Sequence, residues 1–266
     1  MLSADQIEEA AEALFAAEMT GQQIGLLSAR HSDMTIDDAY AVQRALVAKR
    51  KATGREIIGW KIGLTSKAMQ AALRIDVPDS GILFDDMAFE TGSLIPQGRF
   101  IEPRVETEIA FILKSDLDGP ATHAEVLAAT EFVAPALELL DTRIVRLDRT
   151  TSMPRKVVDT ISDNAANAGI VLGTQRHDPA DIDLRHVGAV LMRNGEVEET
   201  GLGAGVLNDP VKSVVWLTER LSTYGMSLRR GDIVLSGSFV RPVEAHEGSK
   251  FEADFGAFGN VSINFA

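Results

Sequence analysis

The chain has 266 residues, enough to bury one sizeable core. Hydrophobic residues make up 45% and charged residues 24%, the balance of a globular protein, and the apolar runs fall well short of a bilayer span. Cysteine is absent, which excludes disulfides, thiolate nucleophiles and cysteine-built zinc sites, and a net charge of -13 opposes binding to nucleic acid.

The N-terminus, MLSADQIEEAAEALF, is acidic and amphipathic, whereas a secretory signal starts basic and continues apolar. A cytoplasmic protein is therefore expected, with neither membrane nor nucleic acid as a partner. Ser3 and Gln6 stand at capping-box spacing before an Ala-rich run, predicting a helix to about Leu27. Thr35 and Asp38 suit the start of a second helix carried by DAYAVQRALVAKRKA, and Gly54 suits its stop. GREIIGWKIGLTS then reads as a strand leaving a turn, and SKAMQAAL as a short helix capped by Ser66.

From about residue 81 the pattern turns to β, with strands expected near Gly81 to Phe84, Val105 to Leu113, Phe132 to Leu140 and Ile170 to Leu172. Asn194-Gly195 between two strand-like runs predicts a type I′ hairpin. DPVKSVVWLTERLSTYG is one more amphipathic helix, ended by Gly225, and the stretch from Gly231 to Ala266 reads as several antiparallel strands. No repeat or linker divides the chain. The expected class is α+β, with a helical region at 1–80 packed on a β-rich catalytic core at 81–266, rolled or sandwiched, as one structural unit. The glycines of GLGAG at 201–205 do not make a dinucleotide site, because they follow a hairpin and lack the βαβ setting.

The strongest chemical signal is EPRVETEIAFIL. In a strand Glu106 and Glu108 share a face, roughly 6 to 7 Å apart, from which two carboxylates can converge on one ion. Ala110 and Ile112 continue that face, so the acids are expected in a buried or pocket-lining position, where like charges need a cation or proton between them. The alternative is a solvated strand face. Glu138 lies inside the apolar segment FVAPALELLD, where a lone carboxylate needs a partner. Three carboxylates suit Mg²⁺ or Mn²⁺ and leave room for water and a chelating substrate. A salt bridge from Glu138 to Arg143 or Arg104 is the plainer alternative.

Lys61, between apolar neighbours in GWKIGLTS, could contact an anion or polarise a carbonyl, or could merely extend to the surface. Asp79 follows a proline in a turn and could carry a proton, although Asp is also a common turn residue. DTISDNAANAG places Ser162, Asp163 and Asn164 among small residues, as a loop does when backbone must approach a ligand. The five histidines are scattered without metal-ligand spacing and are taken as structural or surface residues.

GWKIGLTSKAMQ, RVETEIAF, PALELLD, DTISDNAANAG and SGSFVRPV, in this order along nearly the whole chain, resemble the hydratase and decarboxylase branch of the fumarylacetoacetate hydrolase superfamily. The resemblance implies a mixed β-roll with flanking helices and a Mg²⁺ ion held by Glu106, Glu108 and Glu138. It implies catalytic roles for Lys61 and Asp79, and substrate contacts from Ser162, Asp163, Asn164, Gly237 and Ser238. The implied activity is hydration of a 2-oxo dienoic diacid, 2-oxohept-4-ene-1,7-dioate, to a 4-hydroxy-2-oxo diacid in aromatic catabolism, by a homo-oligomer, commonly a decamer. A pathway decarboxylase or aldolase is a conceivable partner. A distal carboxylate needs its own cation in so acidic a protein, and Arg155, just before the polar loop, is the candidate. Two other readings stand beside this one: decarboxylation of a related diene-dioate, or hydration of a shorter hydroxypentadienoate. A third is a non-catalytic subunit that stabilises a partner decarboxylase, against which the retention of three costly acids speaks.

Overall fold

A computed structural model gives the architecture of residues 1–67, 70 and 77–266, and the short helix expected at SKAMQAAL falls on residues outside this description. Helix α1 (Ala4–Thr20) opens with the expected capping box, Ser3 and Gln6 each satisfying the other's backbone. It stops seven residues before Leu27, because Gly21 turns left-handed (φ 68°) and returns its N–H to Ala17 O. A separate turn, α2 (Leu27–Arg30), follows. Helix α3 (Ile36–Ala52) begins at the Thr35/Asp38 box. Ala10, Ala11 and Leu14 of α1 pack with Ala39, Val42 and Leu46 of α3 in a small core of their own, and Lys49 clamps the outer edge by ion pairs to Glu8 and Glu12.

The β part is two sheets. The larger runs, in spatial order, β2 (Asp79–Phe84), β1 (Ile57–Gly63), β10 (Ile233–Leu235), β5 (Arg104–Leu113), β6 (Thr130–Leu140), β7 (Asn167–Leu172) and β3 (Ala88–Glu90), with β11 (Val243–Glu244) also on β5. The smaller runs β4 (Leu94–Ile95), β13 (Asn260–Phe265), β12 (Lys250–Asp254), β8 (Gly188–Arg193) and β9 (Glu196–Leu202). This is the mixed α+β roll of the expected class. Two details differ from the sequence reading. Because β1 pairs with β10 and β2, residues 57–63 belong to the main sheet and not to a separate helical region. The C-terminal strands are not all antiparallel either, since β10 leaves the others and lies parallel to β1.

Period-two alternation decides what each sheet face meets. Ile109, Phe111 and Leu113 of β5 and Leu137 and Leu139 of β6 point into the main core, where they join Phe251, Val261 and Ile263 of the second sheet. The opposite face carries a smaller cluster, Leu83, Ala110, Ala136, Ile170 and Leu235. Helices α4 (His123–Ala129), α5 (Val157–Ser162) and α6 (Pro210–Ser222) flank the sheets. The β8–β9 hairpin turns through Asn194 (φ 55°) and Gly195 (φ 84°), as its Asn-Gly signal requires.

The loop after α5 is the most constrained backbone. Asn164, Ala165 and Ala166 are consecutively left-handed (φ 51°, 53° and 57°), a conformation unfavourable for residues with a Cβ and held only by strong surrounding contacts. Those contacts are visible. Asp163 accepts from Arg143 Nε at 2.5 Å and from the Arg143 backbone N–H at 2.8 Å. Asn164 accepts from Ile82 N–H at 2.8 Å and donates to Ile82 O at 2.9 Å, which ties the loop to β2. Replacing Asp163 by Ala leaves the buried Arg143 guanidinium without its counter-charge, and chemical denaturation should show a loss of about 3–5 kcal/mol. A loss under about 1 kcal/mol would mean that the pair does not hold this loop.

Candidate metal centre and its cavity

On the face of the main sheet opposite the large core, β5 presents Glu106 and Glu108, and register places Glu138 of β6 directly across from Glu106. One carboxylate oxygen from each of the three lies within 4.8 Å of the others. Glu108 and Glu138 have no solvent exposure. Glu108 Oε2 accepts a 2.7 Å hydrogen bond from the Gly237 N–H, while Oε1 of Glu108 and of Glu138 has no hydrogen-bond partner among the described residues. Orphaned buried carboxylate oxygens pointing at one small region fit a divalent cation with oxygen ligands, because burying them unpaired is costly.

Lys61 approaches from β1. Its buried ammonium is 3.1 Å from Glu138 Oε1 and 3.4 Å from Oε2, with hydrogen-bond geometry only to Oε2. The Arg partners considered for Glu138 are engaged elsewhere: Arg143 with Asp163, and Arg104 with Glu244 at 2.7 Å. Asp79 sits at the start of β2 opposite Gly63, buried, with Oδ1 unpartnered. A Cβ at residue 63 would overlap the Asp79 carboxylate and crowd Lys61 Nζ, so only glycine lets these two groups share the site.

One buried ammonium among four acids leaves an excess of negative charge. Burial and then the Glu138 charge push the Glu106 carboxyl up to about 8, and the same causes raise Glu108 well above its ordinary value. Burial also raises Asp79, opposed by Lys61. Burial alone would discharge Lys61, but Glu138, Asp79, Glu106 and Glu108 together outweigh it and hold the ammonium firmly charged.

Lys61, Asp79 and Glu106 open into a cavity of about 490 Å³ whose other charged walls include Arg104, Arg146 and Arg155. Arg155 donates to the neutral Thr142 hydroxyl at 2.6 Å, and Ser238 also lines the space. Gly237 contributes through its N–H on Glu108. The polar-loop assignment needs correction. Ser162 donates to Val158 O, Asp163 is taken by the Arg143 guanidinium and backbone N–H, and Asn164 is taken by Ile82, so all three side chains are engaged within the protein, and their neighbours Ala165 and Ala166 form part of the cavity wall. Sequence reasoning passed over Arg104 and Arg146 as cavity residues. Arg104 carried a usable signal, since it lies on the same period-two face as Glu106 and Glu108. Arg146 lies beyond β6 with no such pattern.

Comparison with known proteins agrees with this geometry. Residues 62–265 match the family described as fumarylacetoacetate (FAA) hydrolase C-terminal. The 2-oxo-hept-4-ene-1,7-dioate hydratase of Escherichia coli is 51% identical, over 96% of each chain. The 2-keto-4-pentenoate hydratase of Paraburkholderia xenovorans is 41% identical, over 99% of this chain and 96% of its own. Among solved structures, 4-oxalocrotonate decarboxylase from Pseudomonas putida G7, complexed with magnesium and adipate, superposes with a TM-score of 0.94 at 30% identity, covering 100% of this chain and 99% of that one.

The electrostatics predict an unusual pH response. A carboxyl whose folded value lies above its unfolded value contributes stability that is complete below about 4.5 and is lost as pH rises towards 8. In EDTA, therefore, Glu106→Gln should become increasingly more stable than the wild type between pH 6 and pH 8.5 in thermal melts, and a divalent cation should close that gap. A gap that does not widen with pH would contradict the burial of uncompensated charge.

Proposed function

Because this chain belongs to the fumarylacetoacetate hydrolase family, we propose that it is a Mg²⁺-dependent hydratase converting 2-oxohept-4-ene-1,7-dioate to 4-hydroxy-2-oxoheptanedioate. The observation that carries this reading is the 51% identity, over nearly the full length, to a hydratase of that dioate, together with an intact cluster of Glu106, Glu108 and Glu138. These three acids would hold the ion, with Gly237 fixing the orientation of Glu108. A bound divalent ion supplies positive charge that favours negative charge on the substrate's 2-oxo oxygen and orients its carboxylate.

The chain's own groups account for the rest. Lys61, held charged beside Glu138, places a fixed positive charge where the 2-oxo oxygen gains negative charge. Overall the reaction adds hydroxyl at C4 and hydrogen at C5, so protons must move along the carbon chain. Asp79 is buried beside Lys61 with an unpartnered oxygen, and burial raises its carboxyl above the ordinary value, which suits a group that moves a proton along the carbon chain. At the other end Arg155, within the same cavity and lacking a carboxylate partner among the described residues, would receive the distal carboxylate, with Arg146 and Arg104 adding positive field. Burial, then the neighbouring Arg104 and Arg155, press Arg146 down to about 10, opposed by its ion pair to Glu102 at 3.3 Å.

The structural likeness to a decarboxylase keeps a second reading in play, in which loss of CO₂ replaces addition of water. One substrate panel separates them: the seven-carbon dienol dioate and a monocarboxylate analogue, with Mg²⁺ or EDTA. Hydration predicts loss of dienol absorbance with Mg²⁺, none with EDTA and no CO₂. Glu108→Gln should abolish most Mg²⁺ affinity and turnover while remaining folded. Arg155→Leu should cost roughly 1.5–3 kcal/mol in kcat/KM for the dioate, seen mainly in KM, and spare the analogue. CO₂ release in step with substrate loss would overturn the hydratase reading.

A further inference from the structure

Strands β1 and β2 have two faces, and both are lined cavities. Lys61 and Asp79 face the site described above, while their chain neighbours Trp60 and Ser80 face a second groove of about 710 Å³ beneath α3 and α6. Its walls carry three aromatic rings, Tyr40, Trp60 and Tyr224, and five cations, Arg44, Lys51, Arg220, Arg229 and Arg230. Asp232 is the one acid among the described lining residues, and it already accepts from the Arg229 N–H at 2.8 Å.

In a chain of net charge -13 such a concentration of uncompensated positive charge calls for a counter-ion. Arg229 has its partners, Asp116 at 3.1 Å and Asp118 at 2.9 Å. Arg44, Lys51, Arg220 and Arg230 have no carboxylate within ion-pair distance among the described residues. Arg220 is the most telling. Its guanidinium lies 4.3 Å from the Tyr40 ring centroid and 4.9 Å from that of Tyr224, and its Nε and Nη2 are shut away from solvent without a hydrogen-bond acceptor. Stacking offsets part of the desolvation of a guanidinium but leaves its in-plane N–H groups unsatisfied, and a carboxylate in the groove meets the charge through Nη1, the one guanidinium nitrogen of Arg220 that is not shut away. Flat rings beside the guanidinium suit a flat ligand body.

We propose that this groove is a second ligand site, selective for a planar carboxylate gripped by Arg220 and Arg44 between Tyr40, Trp60 and Tyr224. The backbone wall it shares with the catalytic cavity, and the 3.1 Å hydrogen bond from Ser80 N–H to Tyr40 Oη, place an occupant one residue from Lys61 and from Asp79. The site is therefore positioned to modulate the reaction, and its occupancy can be read independently of that reaction.

The chain has two tryptophans, so Trp216→Phe leaves Trp60 as the sole indole reporter. Phthalate, titrated into that protein in EDTA, should change Trp60 fluorescence saturably. Arg220→Met should weaken binding about tenfold or more, as expected for a lost charge-assisted contact, and the exposed Arg44→Ala should weaken it without threatening the fold. Arg155→Leu, in the other cavity, should leave it within about twofold. No saturable change, or a response lost in Arg155→Leu and kept in Arg44→Ala, would overturn the proposal. So would an assembly that falls apart in Arg44→Ala by light scattering while phthalate has no effect, because the cations would then serve contact between copies of the chain.

Discussion

Everything distinctive about the site follows from three carboxylates that the sheet forces together, two of them fully out of water and Glu106 at the cavity edge. Glu106 and Glu138 face each other across a ladder of paired strands, and Glu108 follows on the same face two residues on, so none can turn away without breaking register. Lys61 offsets one charge. The remainder must be met by protons or by a cation, and the unpartnered Oε1 of Glu108, within the three-acid cluster, marks where that cation belongs.

The surrounding architecture reads as support for that arrangement. Antiparallel pairing of β10 with β5 brings Gly237 to Glu108, and parallel pairing of β10 with β1 sets Lys61 on the side of Glu138. Glycine at 63 makes room for Asp79 beside Lys61. The left-handed run at 164–166, anchored by Arg143–Asp163 and by Asn164 on Ile82, lines the cavity with Ala165 and Ala166, while the polar side chains of Ser162, Asp163 and Asn164 are engaged within the protein.

Much of this was legible beforehand, for a physical reason. The acids at 106, 108 and 138 announce themselves through period-two spacing and apolar neighbours, both local properties, and capping boxes at Ser3 and Thr35 are equally local. What stayed hidden depends on distant pairing. That β10 lies parallel to β1, that residues 57–63 enter the main sheet, and that Asp163 meets Arg143 rather than a ligand are contacts between segments far apart in sequence. The wall shared by two cavities is of this kind too, because Trp60 and Lys61 read as one apolar strand until each face has a neighbour.

The most direct test of a cation-completed acid cluster is anomalous diffraction from crystals soaked in Mn²⁺. The account predicts one strong peak within coordinating distance of the Glu106, Glu108 and Glu138 carboxylates, with Lys61 remaining on Glu138. No peak there, with the three acids closed on one another through short hydrogen bonds, would show that protons alone neutralise them and would contradict the account.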